Sequence, residues 1–187
     1  MNRLHQLDPA QATGKAKQFF DAIQSKVGFV PNMMRVIGNS PSALQGYLGL
    51  SGALAAGVLP PKVREQLALA VSEINGCDYC LSAHTVYAGK AGLTPEEILG
   101  ARRATSADPK TNATLKLARA IALQRGHLAD ADLYAARSAG LNDAEIVEVI
   151  QHVALNTLTN YTNNIARTVV DFPPVKSTFS EAAEIAA

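Results

Sequence analysis

The chain of 187 residues has no tryptophan and only two cysteines, and aromatic residues make up 5% of it. Two cysteines close at most one bridge, which excludes a disulfide-stapled scaffold, and a chain of this length buries a core without one. Neither sign of charge dominates: 17 Lys and Arg stand against 16 Asp and Glu, a formal net charge of +1. With the charges interspersed and no basic stripe there is no electrostatic footprint for nucleic acid, so small molecules or other proteins are the expected partners. Long apolar runs are missing too. The least polar stretch, Tyr47 to Leu59, is rich in Gly and Ala, too short for a bilayer and ended by Pro60-Pro61, so no membrane span is expected. Met1 to Gln6 lack a charged start followed by an apolar run; no secretory signal is expected, and the cytoplasm is the expected compartment. Alternating strand patterns of useful length are absent.

What is present is helix punctuation. Asp8-Pro9, Ser40-Pro41 and Thr94-Pro95 each place a capping side chain before a proline suited to the first helical position. Thr94 with Glu97, and Asn142 with Glu145, have the spacing of capping boxes. Gly92 and Gly140 stand where left-handed C-caps end helices, each followed by a leucine able to close the motif. Between these signals apolar residues recur at three and four, as in Leu67, Val71 and Ile74, or Ile146, Val149, Ile150 and Val153. The expectation is one all-α, compact multi-helix domain over residues 1–187, of roughly seven to nine helices.

An internal helical repeat is also expected. Sliding residues 64–98 over 112–146 aligns Leu67 with Leu115, Leu69 with Leu117, Ala91-Gly92-Leu93 with Ala139-Gly140-Leu141, and Glu97-Ile98 with Glu145-Ile146. On that register Cys77, Cys80 and His84 face Arg125, Leu128 and Asp132. Only the first unit, with a motif in 64–84, carries chemistry; the second, over about 112–170, is non-catalytic.

Both cysteines lie in the stretch INGCDYCLSAH, Ile74 to His84. Asn75-Gly76 is a poor helix interior, so a new helix is expected to begin around Cys77. Spacings of three and four then put Cys77, Cys80 and His84 on one stripe. A helix N-terminus favours thiolate, lowering a cysteine pKa from about 8.5 toward 7 or below. His84, one turn beyond Cys80, can accept the thiol proton directly or through a water. A vicinal dithiol with a base is a redox device: one thiolate attacks an electrophile and the other displaces the product as a disulfide. Two arguments about the attacking sulfur conflict. The dipole favours Cys77, nearer the helix start, while proximity to the base favours Cys80. The weight goes to Cys80, because an adjacent acceptor both forms the thiolate and can return the proton. A zinc module of Cys77, Cys80 and His84 with Glu65 as fourth ligand is the alternative, although the chain offers no second cysteine pair. Of two nearby carboxylates, Glu65 ranks above Glu73, which sits just before the break. Asparagines 156, 160 and 163 or 164 form a stripe on a late helix, read as interhelical hydrogen bonding.

The pattern Glu65, Cys77-Asp78-Tyr79-Cys80, His84 resembles that of the alkylhydroperoxidase D branch of the carboxymuconolactone decarboxylase-like superfamily. The wording around it is similar as well, in GFVPNMMRVIGNSP at residues 28–41, REQLALAVSEINGCDYCLSAH at 64–84 and NTLTNYTNNIARTVVDFP at 156–173. The resemblance implies an all-helical fold of related units and a thiol peroxidase that acts on hydroperoxides. It makes Cys80 the peroxidatic cysteine, Cys77 the resolving one, and His84 and Glu65 a proton relay. It implies no bound cofactor or metal, an external dithiol reductant such as a lipoyl or thioredoxin-like protein, and a homo-oligomer, trimer or hexamer. Tyr79 departs from the family, whose best-known members carry a histidine there. A phenol of pKa about 10 carries protons poorly at neutral pH and contributes at most a hydrogen bond. A non-redox, decarboxylase-like or partner-binding member of the superfamily is the remaining alternative; it would have no use for the thiols.

Overall fold

A computed structural model of the chain describes residues 2–178. Among the described residues there are nine α-helices and no strand. They are α1 (Gly14–Val27), α2 (Asn32–Ile37), α3 (Pro41–Ala55), α4 (Pro61–Ile74), α5 (Asp78–Lys90), α6 (Pro95–Arg102), α7 (Pro109–Gln124), α8 (Asp130–Ser138) and α9 (Asp143–Ala166).

Most boundaries follow from local chemistry. The Ser40 hydroxyl accepts from the Ala43 amide at the start of α3, and the Thr94–Glu97 and Asn142–Glu145 boxes open α6 and α9 with both reciprocal bonds. Gly92 and Gly140 adopt φ of 86° and 92°, and the following Leu93 and Leu141 amides reach back to Ala88 and Ala136. One expected start fails. Asp8-Pro9 opens a turn, in which the Asp8 carboxylate accepts from the Ala10 amide, and α1 begins only at Gly14. Gly14 has φ of 57°, which a helix running on from Pro9 could not contain.

Helix α4 is the centre of the bundle and packs against α5, α6, α7 and α9. Its residues Leu67, Leu69, Ala70 and Val71 are fully buried, in a core shared with Leu81, Leu115, Leu117 and Val149. A second cluster gathers Phe20, Ile23, Met33, Ile37 and Leu44 of the first three helices around Cys77, Tyr79 and Cys80. The cysteines therefore sit where the N-terminal helices close over the α4 to α9 bundle. When residues 64–98 are slid over 112–146, α7 starts where α4 starts and α9 where α6 starts.

Candidate redox-active site

Gly76, with φ of 61°, turns the chain between α4 and α5, and Cys77 becomes the N-cap of α5. Its sulfur accepts a hydrogen bond from the Cys80 amide at 3.3 Å, the bond a serine makes at this position. Cys77 and Cys80 are joined as a disulfide with Cα atoms 5.3 Å apart. The two sulfurs are not equivalent. Cys77 is sealed at 0% exposure, whereas Cys80 borders a cavity of about 230 Å³.

Glu65 and His84 line the same cavity, with Met33, Tyr87 and Phe172. Glu65 lies in the second turn of α4, across from His84 on α5, and its Oε2 is 2.8 Å from His84 Nδ1. A carboxylate only accepts, so Nδ1 carries the hydrogen and Nε2 is left as the basic nitrogen. His84 makes no direct hydrogen bond to either sulfur. The other carboxylate, Glu73, is engaged elsewhere: Arg102 Nε donates to it at 2.7 Å, and the Thr178 amide and hydroxyl donate to its other oxygen. Burial pushes Glu73 up, but the hydrogen bonds from Arg102 and Thr178 outweigh it and hold the carboxyl below its usual value.

Tyr79 is built into the wall. Its hydroxyl accepts from the Met33 amide at 3.1 Å, and its ring meets Phe172 edge-on at 5.8 Å. Burial, foremost, drives the phenols of Tyr79, Tyr47 and Tyr87 upward, the last to about 12, so all three stay neutral at ordinary pH. Phe172 also meets Phe29 and Tyr87, which closes the cavity on its apolar side.

Two residues of this site were not legible in the sequence. Within the asparagine stripe, Asn160 and Asn164 make the expected interhelical bonds, to Ser72 and Asn75. Asn163 bonds between helices too, but to a reactive atom: its Nδ2 donates to the Cys80 sulfur at 3.3 Å, and its Oδ1 is buried without a partner among the described residues, whereas Asn156 donates to the His152 carbonyl of its own helix. His152 of α9 also lines the cavity, at 5% exposure, and was unflagged because a lone histidine on an apolar stripe carries no motif. Among the described residues no three His, Cys, Asp or Glu side chains converge as metal ligands would. Nor is any described helix long and apolar enough to cross a membrane.

An all-helical bundle with a bonded Cys-x-x-Cys pair at a helix start, facing a Glu–His pair across a small cavity, defines the class. Residues 41–120 match the model of the carboxymuconolactone decarboxylase family, and the fold of the chain is similar to that of alkylhydroperoxidase D-like structures. Among solved structures, the alkylhydroperoxidase AhpD core of an uncharacterised peroxidase-related protein from Ralstonia eutropha JMP134 is similar, with TM-score 0.80 and 23% identity, over 91% of this chain and 92% of that one. An uncharacterised peroxidase-related protein from Silicibacter sp. TM1040 is similar with TM-score 0.75 and 23% identity, over 94% and 95%. The debrominase Bmp8, as a cysteine-to-alanine variant in complex with 2,3,4-tribromopyrrole, is similar with TM-score 0.77 and 19% identity, over 91% and 92%. No curated protein matches the chain.

Proposed function

We propose that the protein is a thiol-dependent peroxidase that reduces a small hydroperoxide through a Cys77–Cys80 dithiol/disulfide cycle. The observation that carries this reading is the convergence of the bonded cysteine pair and the Glu65–His84 pair on one cavity, to which only Cys80 is open.

In the reduced protein Nε2 of His84 takes the Cys80 thiol proton, across the cavity or through a water. The thiolate attacks the terminal peroxide oxygen, an S–O bond forms and the O–O bond breaks. The proton held by His84 passes to the departing alkoxide, so the products are an alcohol and a sulfenic acid on Cys80. Cys77, bonded to Cys80 in the oxidised state, then displaces hydroxide from that sulfur; with its own thiol proton the leaving group departs as water. Glu65 holds the imidazole in the tautomer that exposes Nε2. An external dithiol, carried by a lipoyl or thioredoxin-like protein, returns the pair to thiols and is itself oxidised to a disulfide. No metal or bound cofactor takes part, and the working unit is a homo-oligomer.

Stopped-flow mixing of the reduced protein with cumene hydroperoxide, with labelling of remaining thiols, tests the reading. One peroxide consumed for two thiols lost supports it. Peroxide that persists beside a fully reduced, folded protein refutes it.

A further inference from the structure

The cavity is lined by a further polar side chain, His152, that the dithiol chemistry does not use. Helix α9 runs along its length and measures it. Asn163 touches the Cys80 sulfur, Thr159 and Asn156 line the cavity at successive turns, and His152 follows. At 1.5 Å per residue, His152 stands about 10 Å along the helix from Thr159, at the end of the α9 lining away from the Asn163 contact with Cys80. Helix α4 lies alongside in the same sense, with Ser72 bonded to Asn160 and Glu65 toward the His152 end.

His152 is 5% exposed, and its buried Nε2 makes no hydrogen bond among the described residues. Burial, first of all, and the neighbouring Arg64 hold its pKa below the ordinary value, against Glu148 and Glu65, which act in the opposite direction. The ring is therefore neutral near pH 7 and offers one donor and one acceptor. The charges around it are already committed. Arg64 closes the end of α3 through the Leu54 and Ala55 carbonyls, Glu148 accepts from the Val58 and Leu59 amides, and Glu65 holds His84. In the cavity lining itself one cation, Arg64, stands beside one carboxylate, Glu65, so this end holds no uncompensated positive charge to receive an anion.

We propose that His152 is the polar anchor of an elongated substrate site, which takes an uncharged organic hydroperoxide with its reactive end at Cys80 and a hydroxyl-type group at the far end. The size agrees. A cavity of roughly 150 Å³ holds benzene, so about 230 Å³ holds a six-carbon chain or a ring with a short arm. The proposal rests on the peroxidase reading for the identity of the reactive end, but not for the anchor itself.

Two measurements separate them. In the first, hexanol is titrated into the disulfide form and the His152 ring signals are followed by NMR. Wild-type protein should bind it with a shift of those signals, His152→Leu should bind it about tenfold more weakly, and His152→Gln should recover most of the loss. Hexanoate should bind more weakly than hexanol. Unmoved ring signals, equal affinity in His152→Leu, or tighter binding of hexanoate would each overturn the proposal. In the second, the reduced protein is given hexyl hydroperoxide and its analogue with a hydroxyl on the far carbon. The analogue should have a KM about tenfold lower with a similar kcat, and His152→Leu should abolish that preference while His152→Gln retains it. A preference that survives in His152→Leu overturns the anchor. If no hydroperoxide is consumed but hexanol still reads His152, the peroxidase reading falls and the anchor stands.

Discussion

Asn163 Nδ2 lies 3.3 Å from the sulfur of Cys80, so the residue that borders the cavity has an amide donor from α9 behind it. Together with its place in the first turn of α5, this gives Cys80 anion-stabilising surroundings, although helix position alone favours Cys77.

The first prediction follows from that contact. A hydrogen bond to a charged group contributes about 1.5–3 kcal/mol, so Asn163→Leu should raise the Cys80 thiol pKa and slow peroxide consumption near neutral pH by about ten- to a hundredfold. Thiolate absorbance against pH in a Cys77→Ser background measures the first effect and stopped-flow the second. An unchanged thiol pKa would remove Asn163 from the chemistry.

Glu65→Gln keeps the shape of the pair but lets the amide donate as well as accept, so the tautomer of His84 is no longer fixed. The rate should fall by at least about tenfold, with a displaced pH profile, since positioned acid–base groups contribute hundredfold and more. Glu73→Gln, which alters a carboxylate bonded to Arg102 and Thr178, should leave the rate near wild type. A reversed outcome would exchange the two carboxylates.

Why some of this could be read in the chain and some could not is itself physical. Capping boxes, glycine C-caps and the Asn75-Gly76 break are settled within a few residues, and they appear where the sequence put them. The Glu65–His84 pair spans 19 positions but was reachable through a resemblance. Asn163 and His152 act across packed helices, 83 positions separating Asn163 from Cys80. Neither composition nor period distinguishes an asparagine that ties helices together, like Asn160, from the next one along the stripe, which meets a sulfur. Asp8-Pro9 failed for a related reason: a cap and a proline start a helix only if apolar partners follow, and Gly14 interrupts the run.

Stability should decline in two stages on acidification. His152, held below its ordinary 6.5 by burial, resists a proton that the unfolded chain accepts. Folding thus loses free energy as the pH falls below about 6.5, until the folded value is reached. Glu73 is held below its ordinary 4.5; its contribution is complete above that pH and lost as the pH falls through the folded value. Urea midpoints against pH should show both limbs, with His152→Leu flattening the upper and Glu73→Gln the lower. If the upper limb persists in His152→Leu, the buried imidazole is not its source.

Helix α9 carries a second, outward stripe, in which Val147, Ile150, Leu158, Tyr161 and Ile165 are 54, 41, 46, 55 and 62% exposed. An apolar row of this length on the longest helix is the surface on which the proposed homo-oligomer should close. Tyr161→Glu with Ile165→Glu should reduce the mass seen by light scattering to that of one chain. A monomeric wild-type protein at micromolar concentration would dismiss the oligomer altogether.

The roles of the two sulfurs give the most decisive test. Cys77 caps α5 and is sealed from solvent, whereas Cys80 faces the cavity with Glu65 and His84 on its walls. An incoming peroxide meets Cys80 first. Cys80→Ser should therefore abolish peroxide consumption, because a buried Cys77 has neither access nor a base. Cys77→Ser should still consume one equivalent and stop at a sulfenic acid, since no second thiol is left to expel water. A dimedone-type probe should then label Cys80, seen by mass spectrometry, while wild-type protein given the same pulse loses two hydrogens and takes up no label. Labelling of Cys77 in Cys80→Ser, with a full equivalent of peroxide consumed, would reverse the roles and show that α5 opens at its N-terminus during the reaction.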